Sequence, residues 1–213
     1  MKTLIAVPCM DMVPWQFSQC MLYLKKGEGT SVIYKSNSLV YDSRNLISIT
    51  AIQQEFDQVL WLDSDVMFPP DTLTALQSDM AGMKDVHMVS GLYVKRKHPT
   101  VPVIYDELDE PGIGSDGIPV KHIHEYVDFP RDDLFRVKGC GFGCVLTSVK
   151  LLKDVWDNFG PAFNPYPWAG EDISFCHRVN KLGYEIWCDS RVSCGHVGQY
   201  VYTENDLKRG DVG

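Results

Sequence analysis

Hydrophobic positions in the first 65 residues change period several times. Thr3-Leu4-Ile5-Ala6-Val7 is an apolar run broken by Pro8, which predicts a strand buried on both faces with Pro8-Cys9-Met10-Asp11 as the loop at its carboxyl end. From Trp15 to Leu24 the apolar residues Phe17, Cys20, Met21 and Leu24 recur at helical spacing, and Gly27-Glu28-Gly29 ends the element. Ser31 to Tyr34 predicts a short second strand. Ser43 to Phe56 predicts a second helix with Leu46, Ile49 and Ile52 on its apolar face, leading into a third strand, Gln58-Val59-Leu60-Trp61-Leu62. Alternating strands and helices are the pattern of a doubly wound sheet, whose ligands collect past the carboxyl ends of the strands.

Further along, Pro69-Pro70-Asp71 starts a helix over Thr72 to Ala81, and Val86 to Tyr93 alternates as a strand. The stretch from Asp106 to Gly117 is acidic and glycine-rich, and Ile118 to Phe135 reads as irregular. His122 and His124 alternate there, but with no third His or nearby Cys they read as exposed residues rather than metal ligands. Arg136 to Leu146 returns to strand character with Gly139, Gly141 and Gly143 at alternate positions. One face is thereby left bare, open either to a ligand or to a second backbone. The spacing is not a dinucleotide fingerprint, since no helix opens at the last glycine.

Composition narrows the class. With 213 residues, 45% hydrophobic and 23% charged, the chain is expected to form one domain with a substantial core. A net charge of −8 argues against sequence-independent binding to a nucleic-acid backbone. Seven cysteines, an odd number without a paired framework or zinc spacing, point to a reducing compartment. The apolar run after Lys2 is too short for a leader or a membrane span, and no other segment is long enough to cross one, so the protein is expected in the cytoplasm.

The third strand ends in Asp63-Ser64-Asp65. Side chains at i and i+2 of an extended chain point the same way, so both carboxylates should reach one spot beyond the strand end. Close carboxylates repel, which favours a cation beside them. An isolated Asp-x-Asp is more often a solvated turn. Here it sits between a buried strand and the apolar Val66-Met67-Phe68 before a Pro-started helix, and that arrangement resembles the Asp-x-Asp segment of GT-A glycosyltransferases. Arg44-Asn45, one helix earlier, is similar to a pair found at the same place in family-2-like members. Read alone, Arg44 suits either a phosphate at a helix start or an ordinary ion pair. The basic run Lys95-Arg96-Lys97-His98 follows the strand that ends at Tyr93, which makes Lys95 or Arg96 a candidate contact for a diphosphate or an anionic acceptor.

The carboxyl-terminal third adds Pro167-Trp168-Ala169-Gly170-Glu171-Asp172, then Gly183-Tyr184-Glu185-Ile186, then Gly195-His196-Val197. The first two resemble the acceptor half of family-2-like glycosyltransferases, and the last resembles polypeptide N-acetylgalactosaminyltransferases. The resemblance implies an α/β fold: a single GT-A (Rossmann-like) domain over 1–213, with a mixed central sheet flanked by helices. Residues 1–98 would be the donor half, 99–197 the acceptor half, and 198–213 a flexible tail whose Lys208 or Arg209 could close over the diphosphate. It implies a nucleoside-diphosphate sugar as donor, contacted by Pro8, Met10, Arg44, Asp63, Ser64, Tyr93 and Lys95. Asp63, Asp65 and His196 would hold Mn²⁺, with Mg²⁺ as the alternative; Gly141, Phe142 and Trp168 would line the sugar and acceptor pocket. Asp172 would be the general base and Glu171 its neighbour that orients the acceptor, a glycan, lipid, protein or modified nucleic-acid base. A nucleotidylyltransferase, or a non-catalytic metal-dependent module binding nucleotide or glycan, is the alternative on a similar fold.

Overall fold

The computed structural model describes residues 1–113, 119–198 and 200–207. Three parallel strands open the chain: β1 (Thr3–Pro8), β2 (Thr30–Lys35) and β3 (Gln58–Leu62), connected through α1 (Trp15–Tyr23) and α2 (Val40–Gln53). Every residue of β1 and β3 is buried, as their unbroken apolar runs require. The short β4 (Val66–Met67) leads to α3 (Thr72–Gly82) and β5 (Met88–Leu92). Next come β6 (Ile104–Ile113), β7 (Pro119–Glu125), β8 (Leu134–Val137), β9 (Gly139–Cys140) and β10 (Cys144–Ser148). Two helices, α4 (Val149–Phe159) and α5 (Glu171–Lys181), precede β11 (Ile186–Ser193), β12 (Gly195–Val197) and β13 (Val201–Tyr202).

The central sheet has seven strands in the order β2-β1-β3-β10-β5-β11-β8. It is mixed, because β10 runs antiparallel between β3 and β5 while β11 lies parallel to β5. A layer of α2, α4 and α5 packs on it, and α3 packs separately against β5, β10 and β11. Two small sheets, β13-β12-β4 and β7-β6-β9, stand beside it. No helix among the described residues is long and apolar enough to cross a membrane.

Several sequence expectations are corrected. The second helix starts at Val40 rather than Ser43, and its buried face is Arg44, Ile47, Ser48 and Ala51, with Leu46 turned outward. A charged residue inside that face hides it from a hydrophobicity count. The stretch read as acidic and irregular contains an antiparallel hairpin, β6 on β7. Register shifts between Tyr105 and Glu107 and between Asp109 and Gly112 break the two-residue alternation by which strands are recognised. Arg136 to Leu146 is three strands rather than one, each paired with a different neighbour: β8 on β11, β9 on β6, and β10 in the middle of the central sheet. Within 198–213, read as a flexible tail, β13 pairs with β12, and Leu207 is buried and bridges to Thr100. Lys208 and Arg209, and the side chain of His122, lie outside the described residues.

The glycine run has a packing reason. A Cβ on Gly141 would lie 1.9 Å from the Tyr93 hydroxyl oxygen and 2.7 Å from Val103 Cγ1, and one on Gly143 would lie 2.8 Å from Tyr93 Cζ. The bare face is therefore filled by the buried Tyr93 ring. We expect Gly141→Ala to lower stability by about 1–3 kcal/mol, the usual cost of overpacking. Tyr93→Leu combined with it should recover part of that loss, and a urea-denaturation double-mutant cycle with no coupling between the two sites would contradict this packing.

Candidate functional site

A cleft of about 320 Å³ opens at the carboxyl ends of β1 and β3. Pro8, Cys9 and Met10 line one side, Ser38, Val40 and Ser43 another, and Arg44, Asp63, Ser64, Asp65 and Glu171 form the floor and far wall. Residues as far apart in sequence as Pro8 and Glu171 thus meet where β3 stops and α5 begins.

Arg44 ties these walls together. Its Nη2 donates to Asp63 Oδ1 at 2.7 Å, its Nη1 donates to Glu171, and only 2% of its side chain is exposed. The guanidinium lies over the Phe142 ring, 5.2 Å from its centroid, and 5.9 Å from that of Phe163. Those rings belong to a buried aromatic group with Trp61 and Phe175, in which Phe163 and Phe175 stack at 4.5 Å. Burial alone would lower the proton affinity of Arg44, but the charges of Asp63 and Glu171 outweigh it and leave the pKa raised. Asp63 is pushed up by burial, which the pull of Arg44 does not cancel, with Asp65 adding repulsion. Beside it, Asn45 accepts from the backbone N–H of Phe163 at 2.8 Å and donates to Asn164 Oδ1 at 3.0 Å. The Arg44-Asn45 pair therefore lies one turn inside α2, where it fastens the loop before α5 to the strand that carries the acids.

Asp65 belongs to a second cluster. β12 pairs antiparallel with β4, placing His196 opposite Val66, and the N–H of Val197 donates to the Asp65 carbonyl at 2.7 Å. His196 Nε2 faces Asp65 Oδ2 at 3.5 Å, and Arg96 Nη1 meets the same oxygen at 2.9 Å. The other ring nitrogen of His196, Nδ1, is 2.8 Å from the Val94 carbonyl oxygen. A carbonyl only accepts, so Nδ1 carries the proton, and in the neutral ring Nε2 turns a lone pair toward the carboxylate. Two electron-rich groups facing each other call for a proton or a cation between them. Burial pushes the Asp65 carboxyl up, yet His196 when its ring is protonated at both nitrogens, by hydrogen bond and charge, and the charge of Arg96 bring it below the usual carboxylate range.

This donor set fits a divalent ion in part. It offers one carboxylate and one imidazole whose far nitrogen is oriented by a backbone carbonyl, the outer-shell arrangement typical of ligating histidines. Mixed oxygen and nitrogen donors suit Mn²⁺ better than Mg²⁺. Among the described residues no group of three or more His, Cys, Asp or Glu converges closely enough to hold a metal unaided, so further donors would have to come from a ligand or water.

The remaining expected site residues are scattered around these clusters. Ser64 and Met10 line the cleft, Met10 being largely exposed. Asp172 stands next to Glu171 at the start of α5 and does not line the cleft; burial and then the charge of Glu171 raise its pKa to about 6. Trp168 stacks on Tyr166 at 5.3 Å, with His177 edge-on to both. Lys95 is paired with Glu125. Tyr93, Gly141 and Phe142 are buried, so they support the site from beneath. Sequence reading missed the Arg44–Glu171 and Arg96–Asp65 pairs; the one signal for the first was a charged residue at a position helical spacing could have assigned to the core.

Arg44→Met should destabilise the protein by about 3–5 kcal/mol, because two carboxylates lose a buried partner. The deficit should shrink as pH falls and those carboxylates take up protons. Urea unfolding between pH 4 and pH 8 measures it, and a pH-independent loss would show that Arg44 acts only through packing.

No protein-family model and no curated protein matches the sequence. Among solved structures, the crystal structure of A197 from STIV matches with a TM-score of 0.70 at 16% identity, covering 100% of this chain and 97% of that one. A CMP:2-keto-3-deoxy-manno-octonic acid synthetase complexed with CTP matches with a TM-score of 0.48 at 10% identity, over 88% of this chain and 89% of that one, too loosely to bear on the site. At such identity the likeness to A197 speaks for the fold alone: a Rossmann-like α/β domain with a mixed seven-stranded sheet flanked by helices.

Proposed function

We propose that this protein is a GT-A type glycosyltransferase that moves a sugar from a nucleoside-diphosphate donor to an acceptor hydroxyl. The observation that carries the reading is the convergence on Asp65 Oδ2, beside a cleft at the ends of parallel strands, of an oriented imidazole nitrogen and a guanidinium. Such an edge is where open α/β sheets bind ligands. Asp65 and His196 would hold a divalent ion, Mn²⁺ rather than Mg²⁺, which when bound offsets charge on the departing diphosphate. Asp63, held by Arg44, would accept a hydrogen bond from the donor's ribose. Pro8, Met10 and Ser64 would wall the donor, and Lys95 would reach the diphosphate on leaving its pair with Glu125. Trp168, on the Tyr166 stack, offers a flat face to an acceptor ring. A cytoplasmic placement rests on the odd, unpaired pattern of the seven cysteines in the sequence.

Asp172 would take the acceptor proton. Its raised pKa makes it a stronger base than an ordinary carboxylate while leaving it ionised at neutral pH. Glu171, held by Arg44, would orient the acceptor. Activity should therefore fall as pH drops through about 6, where Asp172 becomes protonated. Asp172→Asn should lower kcat by roughly 10²–10⁴-fold and flatten that limb of the profile. A thermal-shift screen of nucleotide-sugars with and without Mn²⁺, followed by chromatography of slow donor hydrolysis, tests the whole reading. Release of pyrophosphate from a nucleoside triphosphate would favour nucleotidyl transfer instead. Binding without turnover would favour a non-catalytic module, and retention of the donor's anomeric configuration by NMR would remove Asp172 as base.

A further inference from the structure

Asp65 already has a cation. Arg96 Nη1 sits 2.9 Å from Asp65 Oδ2, the oxygen that His196 Nε2 also approaches at 3.5 Å, so a divalent ion bound between Asp65 and His196 would have to share that oxygen with the guanidinium. The two cannot coexist at close range without strong repulsion, since the ion brings two charges against one. Arg96 is also loosely held. About half of its side chain is exposed, and among the described residues its other polar contact is the Val197 carbonyl at 3.4 Å. Exposed ion pairs of this kind are weak, in contrast to the buried pairs of Arg44.

The loop that carries Arg96 is firm where the side chain is not. Lys95 N–H donates to the Val101 carbonyl at 2.9 Å, and Val94 bridges to Pro102. The stem of Arg96 crosses Gly198, where an added Cβ would lie 3.3 Å from Arg96 Cδ. A fixed backbone, with the stem resting on Gly198 and the side chain half exposed, leaves the charged tip able to move between two positions.

We propose that Arg96 is the resident counter-ion of Asp65, exchanged for the divalent cation when the donor arrives and transferred to the donor's diphosphate. This rests on the transferase reading above. In the empty site Arg96 offsets the charge of Asp65. In the loaded site the ion takes over Asp65, and the freed guanidinium adds a charge-assisted contact to the diphosphate oxygens. Metal and diphosphate would then bind cooperatively, because each relieves a cost imposed by the other's absence.

Isothermal titration calorimetry with Mn²⁺ alone, then with inorganic pyrophosphate added to the Mn²⁺-saturated protein, tests the exchange without relying on turnover. Arg96→Gln should bind Mn²⁺ about three- to fivefold more tightly than the wild type, for it removes the competitor. The same variant should bind pyrophosphate about tenfold more weakly, for it removes the second partner. Arg96→Lys, which keeps the charge, should stay within about twofold of the wild type in the Mn²⁺ titration. Arg96→Ala repeats the experiment with a different side chain should the Gln variant fail to fold. Equal Mn²⁺ affinity in wild type and Arg96→Gln, with Asp65→Asn still abolishing binding, overturns the exchange and leaves the metal site standing. Mn²⁺ binding that is absent throughout, or unaffected by Asp65→Asn, overturns both.

Discussion

The buried guanidinium of Arg44 is the interaction on which the site depends. Three parts of the chain distant in sequence meet on it: α2, which carries it, the end of β3 through Asp63, and the start of α5 through Glu171. Removing a cation from water is expensive, and it persists here because both faces of the cost are met. Two carboxylates satisfy its charge, and the aromatic rings of Phe142 and Phe163 cover its plane. Asn45, the next residue, repeats the strategy with neutral hydrogen bonds to Phe163 and Asn164. Acids that would otherwise repel one another are thus held within one small cleft.

The two aspartates of the acidic motif have separate partners and different consequences. Asp63 is locked to a buried arginine and raised by its burial, whereas Asp65 faces an exposed arginine and a histidine that lower it. One is a rigid wall of the cleft; the other is held by a half-exposed arginine and, under the exchange we propose, changes partner. The division suits a site in which a fixed carboxylate positions a neutral group while a second carboxylate exchanges cations. It also accounts for the small sheet of β4, β12 and β13, whose register places His196 opposite Val66 and so beside Asp65.

Support for the cleft is provided from behind by size rather than charge. Tyr93 fills the space above Gly141 and Gly143, and Trp61 donates from Nε1 to Thr147 at 2.9 Å across neighbouring strands β3 and β10. Glycine at those positions lets a large ring lie flat against the backbone, so the floor of the site is close-packed and its acids are carried on stiff elements.

Much of this protein was legible in its sequence. The runs Thr3 to Val7 and Gln58 to Leu62 are apolar because both faces of a central strand are covered, and that local fact gave β1, β3 and the position of Asp63 and Asp65 at a strand end. The helical spacing of α1 and the proline start of α3 were equally readable, since helix starts and apolar periodicity are properties of neighbouring residues. What the sequence could not decide was pairing. The same glycine run fits an open ligand face or a covered one, and only the approach of Tyr93 from β5 chose between them. Arg44 reads as a surface residue or a phosphate contact until α5 is folded back to supply Glu171, and the hairpin of β6 and β7 is concealed by bulges that spoil its alternation. Local pattern depends on a few adjacent side chains, whereas the partner of a charge or an empty face is set by elements up to 127 residues away, as Arg44 and Glu171 are, and those become neighbours only in the folded chain.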